Sequence, residues 1–128
     1  MALLLAWIKY ILDNKLYDAE FCMKWTNLPF LVNPDTLYTY KADELGIGTS
    51  TQYVVWDSKT NAPAALTYPW DDNLDPVMDG SWDYNGKTVY TAYHALADCC
   101  KDWTIEKAAD ICWLDADKIE EAIKIYVD

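Results

Sequence analysis

Trp82-Asp83-Tyr84-Asn85-Gly86-Lys87-Thr88-Val89 carries the strongest local signal in the chain. Asn and Gly both tolerate the positive φ of a type I′ turn, so Asn85-Gly86 between two β-prone runs predicts a tight antiparallel hairpin. That turn fixes the register: Trp82 pairs with Val89 and Tyr84 with Lys87 on one face. Upstream, Tyr53-Val54-Val55-Trp56 reads as a second β-prone run. The proline- and aspartate-rich stretch from Ala62 to Asp79 reads as an irregular excursion.

Outside this β-rich middle, residues 30–90, the periodicity is helical. From Ala2 to Asn14 the apolar residues Leu3, Leu4, Leu5, Trp7, Ile8, Ile11 and Leu12 fall on nearly every side of a helix. Such a helix needs cover all round, and a chain of 128 residues has little material to provide it. A second short helix is expected from Asp18 to about Trp25, ended by Asn27 and Pro29. After Thr91 the chain is expected to run helical to about Asp102, then from a cap at Thr104 to about Trp113, then from a cap at Asp115 to its end. In the last helix Ile119, Ala122, Ile123 and Tyr126 form an apolar stripe, with Glu120, Glu121 and Lys124 outside it. The pattern predicts an α+β fold in one domain, residues 1–128. Terminal helices (2–26 and 91–127) pack together, and a small antiparallel hairpin or sheet comes from the middle.

Composition excludes several roles. Ten basic residues against 21 acidic ones give a net charge of −11, which repels nucleic acid and anionic lipid alike. The hydrophobic content of 52% is too high for a disordered chain. Ala2 to Trp7 is apolar, but no basic residue precedes it and no small-residue cleavage site follows, so no targeting signal is expected. It also falls far short of the roughly 20 residues that span a bilayer, and no membrane insertion is expected.

Few residues suggest chemistry. His94, the lone histidine, lies near Asp98, Cys99 and Cys100, but this is no zinc spacing, and neighbouring helical cysteines point about 100° apart. Asp71, Asn73 and Asp75 match the opening of a calcium loop; the match then fails at Pro76 and Trp82, where glycine and glutamate are needed. Cys22, Cys99, Cys100 and Cys112 form no C-x-x-C pair and are expected as reduced thiols. There is no G-x-S-x-G, no G-x-G-x-x-G and no phosphate-binding loop. Trp82, Tyr84 and Tyr90 either fill a core or present an aromatic contact surface for carbohydrate or protein.

Two stretches add a resemblance. Leu16-Tyr17-Asp18-Ala19-Glu20-Phe21 is followed by Lys24-Trp25-Thr26-Asn27-Leu28-Pro29-Phe30-Leu31-Val32. Far downstream stand Trp103-Thr104-Ile105-Glu106-Lys107-Ala108-Ala109-Asp110-Ile111 and Asp115-Ala116-Asp117-Lys118-Ile119. In order and spacing these resemble an internal segment of the large catalytic subunits of molybdopterin oxidoreductases, the family of dimethyl sulfoxide reductase, formate dehydrogenase and acetylene hydratase. The chain departs from that pattern at Ile105, where proline is usual, and at Cys112-Trp113, where Thr-Gly is common.

The resemblance implies a scaffold segment of an anaerobic oxidoreductase that is inactive alone and has no cofactor of its own. The parent subunit would use molybdenum or tungsten held by a bis-pterin guanine dinucleotide, with an iron-sulfur cluster. Its metal ligand and cluster cysteines would lie outside these residues, so no catalytic or metal-ligating role passes to any position here. The implied partners are an electron-transfer subunit, together with the rest of the parent polypeptide. Family members can be exported folded, so compartment stays open. The residues themselves leave two alternatives: an autonomous aromatic platform on Trp82, Tyr84 and Tyr90, and a small calcium protein on Asp71, Asn73 and Asp75.

Overall fold

The Asn85-Gly86 turn forms as its residue types dictate, with φ of 50° and 77°. The computed structural model describes residues 1–67 and 72–128. Around that turn, β4 (Ser81–Tyr84) and β5 (Lys87–Thr91) pair antiparallel with Trp82 opposite Val89 and Tyr84 opposite Lys87. The short β1 (Leu31–Val32) adds to the other edge of β5, giving a three-stranded sheet in the order β1-β5-β4. A second sheet pairs β2 (Tyr53–Asp57) with β3 (Ala62–Leu66).

The strand β3 corrects the expectation that residues 62–79 are wholly irregular. Pro63 and three alanines give it little β character of their own. In a two-stranded sheet both strands are edges, where proline's missing N–H can be accommodated. The apolar β2 then supplies the packing, with Val54 and Val55 fully buried.

The chain divides into two compact units: residues 19–95, and residues 1–18 with 96–128. The first holds α2 (Ala19–Trp25), both sheets and the start of α3 (Ala92–Cys100). Its core gathers Leu31, Tyr40, Ala42, Val54, Trp56 and Val89, and a neighbouring cluster holds Phe30, Val55 and Leu66. A backbone bridge between Phe30 and Val55 ties the two sheets together. On that seam the Phe30 and Tyr53 rings stack at 4.6 Å, and Lys41 Nζ sits 3.4 Å from the Tyr53 ring centre.

The second unit is helical: α1 (Ala2–Asp13), α4 (Ile105–Cys112) and α5 (Ala116–Val127) contact one another. Both expected caps form. Thr104 Oγ1 accepts from Lys107 N at 3.2 Å and Asp115 Oδ1 from Asp117 N at 3.0 Å, each satisfying a donor that a helix start leaves unpaired. Ile119 and Ile123 are buried with Ala109, and Leu3, Trp7, Tyr10 and Ile11 of α1 pack on them. Tyr126, expected in the same stripe, is largely exposed and meets the Trp7 ring, centre to centre at 5.6 Å. Helix α3 stops at Cys100, short of Asp102. The α+β class holds; of the terminal helices α1, α4 and α5 pack together, while α2 belongs to the β-rich unit.

Candidate functional site

The hairpin aromatics do not share one face. Alternation along β4 and β5 puts Trp82 and Tyr84 on the side of Val89, and Tyr90, opposite Ser81, on the other. Trp82 stacks on the buried Trp56 at 4.3 Å with the rings 4° from parallel, and Tyr84 meets Trp56 edge-on at 6.5 Å. Both are half-buried against the core. Tyr90, also half-buried, lies 6.3 Å from the ring of His94. A flat row of three rings, the arrangement an aromatic platform uses, is not formed.

His94 stands exposed on α3, and its Nδ1 lies 2.9 Å from Asp79 Oδ1. Asp98 instead accepts from Lys101 at 2.8 Å, and Cys100 is buried while Cys99 is exposed. Burial pushes the Cys100 thiol above its ordinary value, which favours the neutral, unreactive form. All four cysteines are free thiols. Of the calcium-like triplet, Asp71 lies outside the described residues. Asn73 offers its carbonyl to Lys59 Nζ at 2.6 Å, and the Asp75 carboxylate accepts from Ser58 Oγ. Among the described residues no group of three or more His, Cys, Asp or Glu side chains is arranged to hold a metal ion.

The carboxylate that sequence reading missed is Asp57. It is almost fully buried at the end of β2 and accepts from Asp75 N at 2.8 Å, Thr60 N at 3.2 Å and Thr60 Oγ1 at 2.9 Å. These bonds, led by the Asp75 amide, hold its carboxyl below the ordinary aspartate value. It clamps the turn after β2 to the loop that follows β3, a structural task. Its principal partner lies 18 residues away, so no local motif announces it.

Every basic residue is a lysine. Six of them sit in ion pairs with carboxylates, and Lys41 and Lys107 lie over the rings of Tyr53 and Trp103. The chain has no arginine, and so no guanidinium to fork onto a phosphate.

An apolar groove lies in the helical unit. Leu3, Trp7, Trp113, Leu114, Ile119 and Ala122 line a groove of about 380 Å³. Trp113 ends α4 in the left-handed conformation with φ 55°, and the residue is 94% exposed. Trp7 Nε1 is the one buried side-chain nitrogen or oxygen among the described residues that lacks a hydrogen-bond partner. Leaving such a donor unmet costs about 1–3 kcal/mol.

No protein-family model matches the chain. Individual relatives do. A protein of Halobacterium salinarum named for the catalytic subunit of a dimethyl sulfoxide reductase is 31% identical over 122 residues, 94% of this chain and 14% of its own length. The perchlorate reductase alpha subunit of Dechloromonas aromatica is 33% identical over 93% of this chain and 13% of its own. The dimethylsulfide dehydrogenase alpha subunit of Rhodovulum sulfidophilum is 26% identical over 85% of this chain and 13% of its own. This chain is related to the molybdopterin oxidoreductases. The molybdopterin oxidoreductase relatives carry names that differ in substrate, yet they match nearly the whole of this chain. The chain spans about one seventh of their length.

Proposed function

We propose that this chain is a scaffold segment from the catalytic subunit of a molybdenum or tungsten oxidoreductase, contributing packing surface rather than chemistry. The observation that carries the reading is the 31% and 33% identity over more than nine tenths of this chain, matched to only 13–14% of each relative. The donor chemistry supports it. The buried polar side chains Asp57 and Thr91 serve turns and caps. In this reading residues 1–128 act as one structural segment. The bis-pterin guanine dinucleotide and an iron-sulfur cluster belong to other parts of the parent polypeptide. The partners are those parts and an electron-transfer subunit; two relatives are themselves named as alpha subunits of their enzymes. Among the described residues no helix is long and apolar enough to cross a membrane.

The test compares two proteins. A longer polypeptide that carries this segment is purified anaerobically and assayed for molybdenum, tungsten and oxidised pterin fluorescence, beside the 128-residue chain. Metal and pterin with the longer polypeptide and neither with the short chain are expected. Stoichiometric pterin or turnover in the short chain overturns the scaffold reading, and a longer polypeptide without pterin or metal overturns the family function.

A further inference from the structure

The chain has six asparagines, and only Asn85 is followed by glycine. Asn14, Asn27, Asn61 and Asn73 precede lysine, leucine, alanine and leucine, and Asn33 precedes proline. That neighbour decides an uncatalysed reaction. The backbone nitrogen of the next residue can attack the asparagine Cγ; a side chain on that residue obstructs the approach, and glycine has none. At the hairpin tip the reacting groups are free. Asn85 and Gly86 are both exposed, and among the described residues neither the Asn85 carboxamide nor the Gly86 N–H makes a hydrogen bond. Asp79-Gly80, where a carboxyl side chain also precedes glycine, is tied up instead. The Asp79 carboxylate lies 2.9 Å from His94 Nδ1, and Gly80 N donates to Thr91 Oγ1 at 3.4 Å.

The turn itself holds the reaction back. Ring closure requires Gly86 N to eclipse Cβ of Asn85 about the Cα–C bond. A type II′ turn has that arrangement, but it has positive φ at its first central residue alone, whereas φ of 50° at Asn85 and 77° at Gly86 mark type I′. In type I′ the ψ of the first central residue is about 30°, and the nitrogen then lies on the far side of the bond from Cβ. Flipping the peptide in place would put Asn85 where type II′ turns carry glycine. The reactive geometry is therefore reached by opening the tip. We infer that Asn85 is a deamidation site that the folded hairpin gates. When the Tyr84–Lys87 pair opens, Gly86 N attacks Asn85 Cγ and gives up its proton, ammonia leaves, and a five-membered imide forms. Water then opens the imide at either carbonyl, giving aspartate or isoaspartate. Aspartate adds one negative charge to the −11 and keeps the turn, since Asp-Gly also serves type I′. Isoaspartate carries the backbone through the side-chain carbon and lengthens the two-residue turn by one methylene, which disturbs the pairing of Tyr84 with Lys87 and Trp82 with Val89.

The experiment holds the 128-residue chain in mildly alkaline buffer, natively and in urea. Digested peptides are followed by mass spectrometry with electron-transfer fragmentation, which separates isoaspartate from aspartate. A synthetic peptide of residues 82–89 in the same two buffers reports what urea does to the chemistry itself. Deamidation of Asn85 ahead of the other five asparagines is expected, several-fold slower in the folded chain than in the unfolded one, because only the opened tip reacts. Equal rates in the folded and unfolded chain, corrected by the peptide, overturn the gate. Another asparagine reacting first, or an Asn85 that stays intact in urea, overturns the site.

Discussion

Asp57 and Gly80 show how single residues hold the β-rich unit. The Asp57 carboxyl is stabilised in its charged form by the Asp75 and Thr60 donors. A carboxyl whose folded value is depressed adds stability that is fully present above its unfolded value, ordinarily 3.8, and is lost as pH falls through the lower folded value. Asp57→Asn should therefore melt earlier than the native chain at neutral pH, and the gap should close as pH drops below 4 in thermal melts taken across a pH series. A gap that stays constant to low pH would show that the carboxylate's charge is not what the site uses. Gly80 matters for space: a Cβ there would lie 2.3 Å from Cη2 of Trp82, a ring pinned by its stack on Trp56. Gly80→Ala should cost about 1–3 kcal/mol in denaturant unfolding and disturb the tryptophan bands of the near-ultraviolet circular dichroism spectrum.

At the scale of elements, the legible features are those whose cause is local. The Asn85-Gly86 turn set the hairpin register to the residue, and Thr104 and Asp115 marked two helix starts, because each signal is a backbone preference written within four residues. The strand Ala62–Leu66 was hidden. Its alanines and Pro63 say little alone, and it exists because β2 lies beside it. Likewise Tyr126 obeys the helical stripe by number, yet it is largely exposed, which periodicity cannot foresee. For the candidate site, the family resemblance was legible in Lys24-Trp25-Thr26-Asn27-Leu28-Pro29 and its downstream counterpart. The groove was not, because it depends on the three-dimensional neighbours of Trp7 and Trp113. The end of α4 yields a direct test. Trp113→Gly removes a left-handed non-glycine residue whose side chain packs on almost nothing here, so the isolated chain should gain about 1 kcal/mol in chemical denaturation. A loss instead would mean that the exposed indole already stabilises the helical unit.

For the whole molecule, charge is the dominant global property. With 21 acidic side chains against ten lysines, like-charge repulsion opposes the folded state more than the expanded one. Salt shortens the range of that repulsion, from about 30 Å at 0.01 M to about 8 Å at 0.15 M. The melting temperature of the 128-residue chain should rise over that interval in a fluorescence melt, despite weakening of surface pairs such as Lys9–Asp13 and Lys118–Glu121. A fall would assign more stability to those pairs than exposed ion pairs ordinarily supply.

The helical unit is assembled from both ends of the chain, with residues 19–95 inserted between them. That order has a consequence during synthesis. The α1 helix, apolar on nearly every side, is made about ninety residues before the α4 helix it packs on. At about 5–20 residues per second, it waits roughly 5–20 seconds for that partner. Throughout that interval the α4 and α5 helices that cover this leucine-rich helix are not yet made, and it is the stretch that ribosome-associated chaperones would be expected to hold.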